Sequence, residues 1–263
     1  MNKYNRPSLR RHGTIAVTGL VFSMSLFLVP TTPAAESALQ LRAAGIDASR
    51  NSLRVTLVND GALAVRAFCM TSRSGPMEIT EDLPPRPPLV PSGGSRIETL
   101  RTQSVPADDL DAEVRSFSVT CVQWEDGSVT GRPDHVAMLL QGQAGTAFEW
   151  KRLLPMFERI QHSADADWNA ILADAARWIA DNGTKVDDGS RPEGSFEGGM
   201  EEANLAAKMT LDSLRRLSIN PAGMAAAREH LADMISRWRA AIDFLARVKG
   251  LPVHGAEPTH PVR

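Results

Sequence analysis

The chain has 263 residues, with 29 Lys and Arg against 31 Asp and Glu and a formal net charge of −2. That balance lacks the basic footprint of a nucleic-acid binder and excludes nucleic acid as a partner. The length suffices for a proper hydrophobic core and allows one or two domains.

Residues 1–35 read as a signal peptide. Lys3, Arg6, Arg10 and Arg11 form a positive start free of acids. Ile15 to Val29 is apolar, and Pro30-Thr31-Thr32-Pro33-Ala34-Ala35 is small and helix-breaking. This order predicts cleavage near Ala34 or Ala35 and an extracytoplasmic mature chain, periplasmic or secreted. The alternative is a retained anchor, but an apolar run of about 15 residues falls short of the ~20 that a spanning helix needs. Polar His12-Gly13-Thr14 after Arg10-Arg11 argues against a twin-arginine signal. Without the leader, 25 cations remain against 31 anions, and tyrosine is absent because Tyr4 is the only one. Tyrosine is favoured at recognition surfaces, so its loss counts against a lectin-like or paratope-like site.

Residues 36–132 alternate apolar and polar side chains. Leu41 is expected to end a short opening strand. Leu53, Val55 and Leu57 alternate with Arg54 and Thr56, a strand buried on one face, and Asn59-Asp60-Gly61 signals a turn. Leu63 to Met70 is the next strand. Residues 72–94 are rich in Pro, Gly and Ser, and Pro84-Pro85-Arg86-Pro87-Pro88 cannot pair as a central strand, so a long loop or an edge is expected. Further strands are expected at Ser95–Leu100 and around Phe117, Val119 and Cys121. Asp126-Gly127 closes a hairpin onto Ser128–Thr130. The pattern predicts a small antiparallel β-sandwich, of the Ig-like kind but without a tyrosine corner.

Cys69 and Cys121 are the only cysteines. In an exported chain they read as one disulfide closing a loop of 52 positions, with two buried free thiols as the alternative. Each lies on the apolar side of its strand, so the bridge is expected to point into the sandwich core. Trp124 falls on the opposite face, where it is expected to pack the β-half against the helices.

The run Ser118-Val119-Thr120-Cys121-Val122-Gln123-Trp124-Glu125-Asp126-Gly127-Ser128-Val129-Thr130-Gly131 resembles the hairpin near the end of Ig-like domains in uncharacterised secreted bacterial proteins, where helices also follow. The resemblance implies an Ig-like domain ahead of helices. It carries no activity.

After Pro133 the apolar period changes to three and four. Residues 133–182 form a helical region. His135 to about Leu154 is one helix, weakened by Gly142 and Gly145, with Pro155 expected to kink or interrupt it. A second begins near Ser163, buries Trp168, Ile171, Leu172, Ala175, Trp178 and Ile179, and ends at Asn182-Gly183. Residues 183–199 read as a flexible, acidic, glycine-rich linker. Residues 200–250 form a helical hairpin. Its first helix is expected to bury Leu205, Met209, Leu214 and Leu217. Its second opens at Asn220-Pro221, buries Met224, Leu231, Met234, Ile235, Trp238, Ala241, Ile242, Leu245 and Val248, and is capped by Gly250. Residues 251–263 are expected to be a disordered tail.

No catalytic, cofactor or metal motif stands out. Asp165-Ala166-Asp167-Trp168-Asn169 resembles the start of a calcium loop, but Ala170 and Ala176 occupy the positions that need glycine and glutamate. Asp187, Asp188, Glu193 and Glu197, and likewise His254, Glu257 and His260, have no fixed ligand spacing. The nucleophile elbow, the S-x-x-K pair and the zincin helix are absent, and Gly194-Ser195-Phe196-Glu197-Gly198 only approximates the first.

The expectation is therefore an exported non-enzymatic binding or structural protein of the cell envelope, without a cofactor. Its partner would be an unidentified protein or a second copy of itself. One alternative is a small extracytoplasmic hydrolase with an acid or histidine site, marked by a pocket holding His135 or His162. Another places the last two helices on a membrane surface through Arg215, Arg216, Arg237, Arg239, Arg247 and Lys249.

Overall fold

The computed structural model describes residues 41–49, 52–73, 78–83, 86–101, 109–183, 185 and 194–252. The leader (1–35), Asp187, Asp188, Glu193 and the tail residues His254, Glu257 and His260 lie outside them. The fold is α+β, with two small antiparallel sheets followed by helices. The described residues fall in one compact unit.

Among the described residues seven strands make up the two sheets: β1 (Leu41–Ser49), β2 (Ser52–Asn59), β3 (Val65–Thr71), β4 (Glu78–Glu81), β5 (Ser95–Arg101), β6 (Ser118–Trp124) and β7 (Val129–Gly131). The first sheet has the order β1-β2-β5 and the second the order β4-β3-β6-β7. Leu41 opens β1 where the sequence placed its end. β4 falls inside the expected 72–94 loop and is an edge strand, as the proline-rich run after it requires. Asn59 is buried and ties its turn together. Its Oδ1 accepts from the Gly61 N–H at 2.9 Å, and its Nδ2 donates to the Leu63 and Pro91 carbonyls at 2.9 and 3.0 Å. The β6–β7 hairpin closes as expected through Asp126, whose Oδ1 accepts from the Ser128 N–H, with Gly127 at φ 81°.

Leu53, Val55 and Leu57 of β2 form one apolar cluster with Phe68 and Met70 of β3 and Val122 and Trp124 of β6. The two sheets thus share a core. This reverses the faces assigned to the cysteines and to Trp124. Trp124 is 6% exposed between the sheets, its indole N–H donating to Thr130 Oγ1 at 3.1 Å. Cys69 and Cys121, directly paired across β3 and β6, cluster with Ala67 and Leu139 instead. Alternation did separate Cys121 from Trp124, but both faces of this sheet are covered, so "apolar side" did not identify the inter-sheet core.

A short helix, α1 (Leu110–Ser116), precedes β6 and had no periodic signal. The other helices are α2 (Pro133–His162), α3 (Trp168–Asn182, after a 3-10 turn at Asp165–Asp167), α4 (Ser195–Leu217) and α5 (Pro221–Leu245). α2 continues through Pro155. The missing N–H orphans only the Lys151 carbonyl; both residues are exposed, and Phe157 and Ile160 beyond them are fully buried. α4 starts five residues before the expected boundary because its glycines make contact. A Cβ at Gly199 would overlap the Gly142 carbonyl oxygen, and one at Gly145 would overlap that of Phe196. α4 therefore buries a small face, Gly199, Ala203 and Ala207, with Phe196, Met200, Leu211 and Leu214. Leu205 and Met209, expected inside, are 59% and 63% exposed, and Leu217 is exposed too. α5 is capped as expected by Asn220, whose Oδ1 accepts from the Gly223 N–H at 2.8 Å. It ends at Leu245, and Gly250 belongs to a later turn.

Leu153, Phe157, Ile160, Trp168, Leu172, Leu211, Leu231 and Trp238 make the helical core. Among the described residues no helix is long and apolar enough to cross a membrane. The sulfurs of Cys69 and Cys121 are at disulfide distance, 2.13 Å.

Candidate functional site

The site begins with the register of β4. Ile79 pairs with Cys69 and Glu81 with Ala67, so their side chains share the face that carries the disulfide. α2 covers that face over β3, β6 and β7 and meets β4 at Glu81 through Gln143. Ile79, at the sheet edge, and Met138, on α2, remain 40% and 41% exposed. The close approach at Gly142, Gly145 and Gly199 brings α4 up as the opposite wall, where Thr146 Oγ1 donates to the Gly199 carbonyl at 3.2 Å.

Two cavities lie between these walls. The smaller, about 180 Å³, is lined by Glu81, Thr146, Trp150, Glu202, Met234 and Trp238 among others. The larger, about 470 Å³, is lined by Ile79, Met138, Gln143, Ser195, Gly198 and Gly199 among others. Glu81, Thr146 and Glu202 line both, so the cavities adjoin as one groove.

Gln143 fixes the floor. Its Nε2 donates to Gln123 Oε1 at 2.8 Å and to Glu81 Oε2 at 3.1 Å, and its Oε1 accepts from Gln123 Nε2 at 2.9 Å. Burial pushes the Glu81 carboxyl up to about 7. The Gln143 hydrogen bond pulls it back, and the Glu202 and Asp82 charges push it further up. The two guanidinium groups that line the smaller cavity are already engaged: Arg86 with Asp82 at 3.1 Å and Arg237 with Asp233 at 2.7 Å. The groove thus presents Glu81 and Glu202 beside two tryptophans, with no cation paired to either carboxylate among the described residues. The Trp150 indole N–H is buried and unpartnered.

A second polar cluster is structural. Glu149, fully buried, receives Arg152 Nη1 at 2.8 Å. Arg152 also donates to the Lys185 and Asn182 carbonyls and lies over the rings of Phe148 and Trp178. Asn204 Nδ2 donates to the Gly183 and Met200 carbonyls. These bonds tie the end of α3 to α2 and α4.

The residues weighed from the sequence are scattered. Asp165 pairs with Arg228 at 2.6 Å, and Glu197 lies in the first turn of α4. Among the described residues no three potential ligands converge for a metal. Ser195 lines the larger cavity, but neither His135 nor His162 lines either one. His135 Nδ1 instead contacts Thr120 Oγ1 at 2.6 Å, and His162 is exposed at the end of α2. Of the basic residues on the last helices, Arg215, Arg237 and Arg239 pair with Asp212, Asp233 and Glu158. Glu81, Gln143 and Glu202 were not singled out from the sequence. One signal was present: Gln143 and Thr146 interrupt the helical stripe from Leu139 to Trp150.

No family model matches the chain, and neither a curated protein nor a solved structure matches it.

Proposed function

We propose that this chain is an exported, non-enzymatic binding protein of the cell envelope, an Ig-like sandwich joined to helices, that holds a protein partner in the groove between β4, α2 and α4. The observation that carries the reading is the groove's pair of carboxylates without cationic partners, set against tryptophan, while the guanidinium groups nearby are spoken for. Convergent polar groups in an otherwise apolar cleft favour a ligand site. Taken in chain order as A, B, C, C′, E, F and G, the strands divide as A, B, E and C′, C, F, G, which supports the Ig-like part. The bridge departs from antibody domains, joining C to F within one sheet rather than B to F across two. The leader pattern at 1–35 and the bridge support export.

Photo-crosslinking tests the reading. A crosslinking residue replaces Met138 on the groove wall or, as control, Ile97, which is exposed on the first sheet. In the envelope of the producing cell, an adduct specific to position 138 is expected. Equal labelling at both positions, or a protein recovered from the cytoplasm with its leader intact, defeats the proposal.

The raised pKa of Glu81, with Glu202 lining the same cavities, favours one second reading, an extracytoplasmic hydrolase with Glu81 as general acid. Turnover of a glycosidase, esterase or peptidase substrate that disappears in Glu81→Gln would establish it over the binding reading.

A further inference from the structure

We infer that the groove takes an extended segment of a partner polypeptide, added to the free edge of β4, with a lysine or arginine side chain seated between Glu81 and Glu202. This rests on the binding reading and names its ligand.

The backbone argument comes from the ladder. The Asp82 N–H donates to the Arg66 carbonyl at 2.8 Å. In an antiparallel pair, hydrogen-bonded and non-hydrogen-bonded positions alternate. Thr80 and Glu78 therefore bond to β3, and the N–H and C=O groups of Ile79 and Glu81 point outward. β4 has no neighbour on that side among the described residues. An added strand would satisfy those groups, the usual source of affinity in strand addition, while its alternate side chains would enter pockets.

The pockets set the pattern. Side chains two apart on a strand face the same way, roughly 7 Å from each other. The adjoining cavities can take two such side chains. The smaller, at about 180 Å³, is below the ~300 Å³ at which small-molecule sites begin, and suits one side chain rather than a whole ligand. Its carboxylates and indoles match a cation on an apolar stem. The larger is flanked by Ile79 and Met138 and matches an apolar side chain. The recognised segment is thus a basic residue with an apolar residue two positions away. A cation there also relieves the repulsion that Glu202 exerts on Glu81.

The test uses a blocked pentapeptide, valine-threonine-lysine-threonine-valine, whose symmetric pattern fits either strand direction. It is titrated into the ¹⁵N-labelled protein and followed by NMR. The expected result is saturable shifts of the Ile79 and Glu81 amides and of the Trp150 indole N–H. Affinity should fall at least tenfold when glutamate replaces the lysine, and again in Glu202→Gln, whose exposed position leaves the fold intact. Three outcomes overturn the inference: no shift at these groups, a glutamate peptide binding within twofold, or butylammonium binding as tightly as the peptide without moving the Ile79 amide. A failed titration alongside a specific adduct at position 138 rejects the basic strand and leaves the binding reading standing. Loss of both rejects both.

Discussion

Glu149→Gln should flatten the pH dependence of stability. Glu149 is fully buried, and burial pushes its carboxyl from 4.5 up to about 7, against the opposing pull of Arg152. A carboxyl with a raised folded pKa binds its proton more tightly folded than unfolded. The stability it contributes is complete below about pH 4.5 and is lost as pH rises through 7. At 1.36 kcal/mol per unit, the loss is about 3 kcal/mol by pH 8. The local hydrogen bonds point the same way. Glu149 Oε1 and Asn204 Oδ1 are both buried without partners, and both Asn204 Nδ2 protons are committed to carbonyls. A proton on Glu149 supplies the missing donor between two acceptors. Glutamine supplies it at every pH, and Arg152 keeps its bonds to the 182 and 185 carbonyls. In urea melts from pH 4 to 8, the variant should match the native protein at pH 4 and exceed it by about 3 kcal/mol at pH 8. Parallel curves for the two proteins would refute the reasoning, because Glu149 would then be ionised throughout.

Gly199→Ala should cost about 1–3 kcal/mol, since a Cβ there meets the Gly142 backbone rather than a movable side chain. Gly198→Ala, with nothing within 4 Å, should instead gain about 0.5–1 kcal/mol, and paired urea melts separate the two. Pro155→Ala on the exposed side of α2 should gain up to about 3 kcal/mol by the same measurement. Reducing the bridge, which closes a separation of 52 residues, should cost about 4 kcal/mol, read as the shift between oxidised and reduced transitions.

Much of the fold was legible from the sequence, and the gaps have physical causes. Period-two runs located β2, β3, β5 and β6, and period-three-and-four runs located α2, α3 and α5, because burial of one face imposes those periods. Turn and cap chemistry placed Asn59, Asp126-Gly127 and Asn220 correctly because each closes its own turn with a bond that spans no more than four residues. α4 misled because its contact with α2 excludes large side chains. Its packing face consists of glycine and alanine, and hydropathy points to Leu205 and Met209 instead. The site was hidden for a related reason: Glu81 and Glu202 lie far apart in sequence and meet only because Gly142, Gly145 and Gly199 let two helices touch. Neither glutamate has a local partner whose spacing could announce it.

Charge also bears on whether β4 pairs with itself. A free edge invites a second copy, and proteins guard such edges with short strands, charge and proline. β4 has four residues, Glu78, Ile79, Thr80 and Glu81, with Pro84 and Pro85 soon after. In the antiparallel register that pairs the outward-facing Ile79 of each copy with Glu81 of the other, Glu78 lies across from Asp82 twice. Like charges directly opposite destabilise a pair. A strand with a basic residue opposite Glu81 or Asp82 meets attraction instead. The edge is therefore closed to its own copy and open to a cationic strand, so the binding reading favours a partner protein over self-association. Sedimentation equilibrium should show a monomer, and Glu78→Lys, which sets a cation across from Asp82 in each half of the pair, should promote dimers. A Glu78→Lys variant that remains monomeric at the highest soluble concentration would show that charge is not what keeps this edge apart.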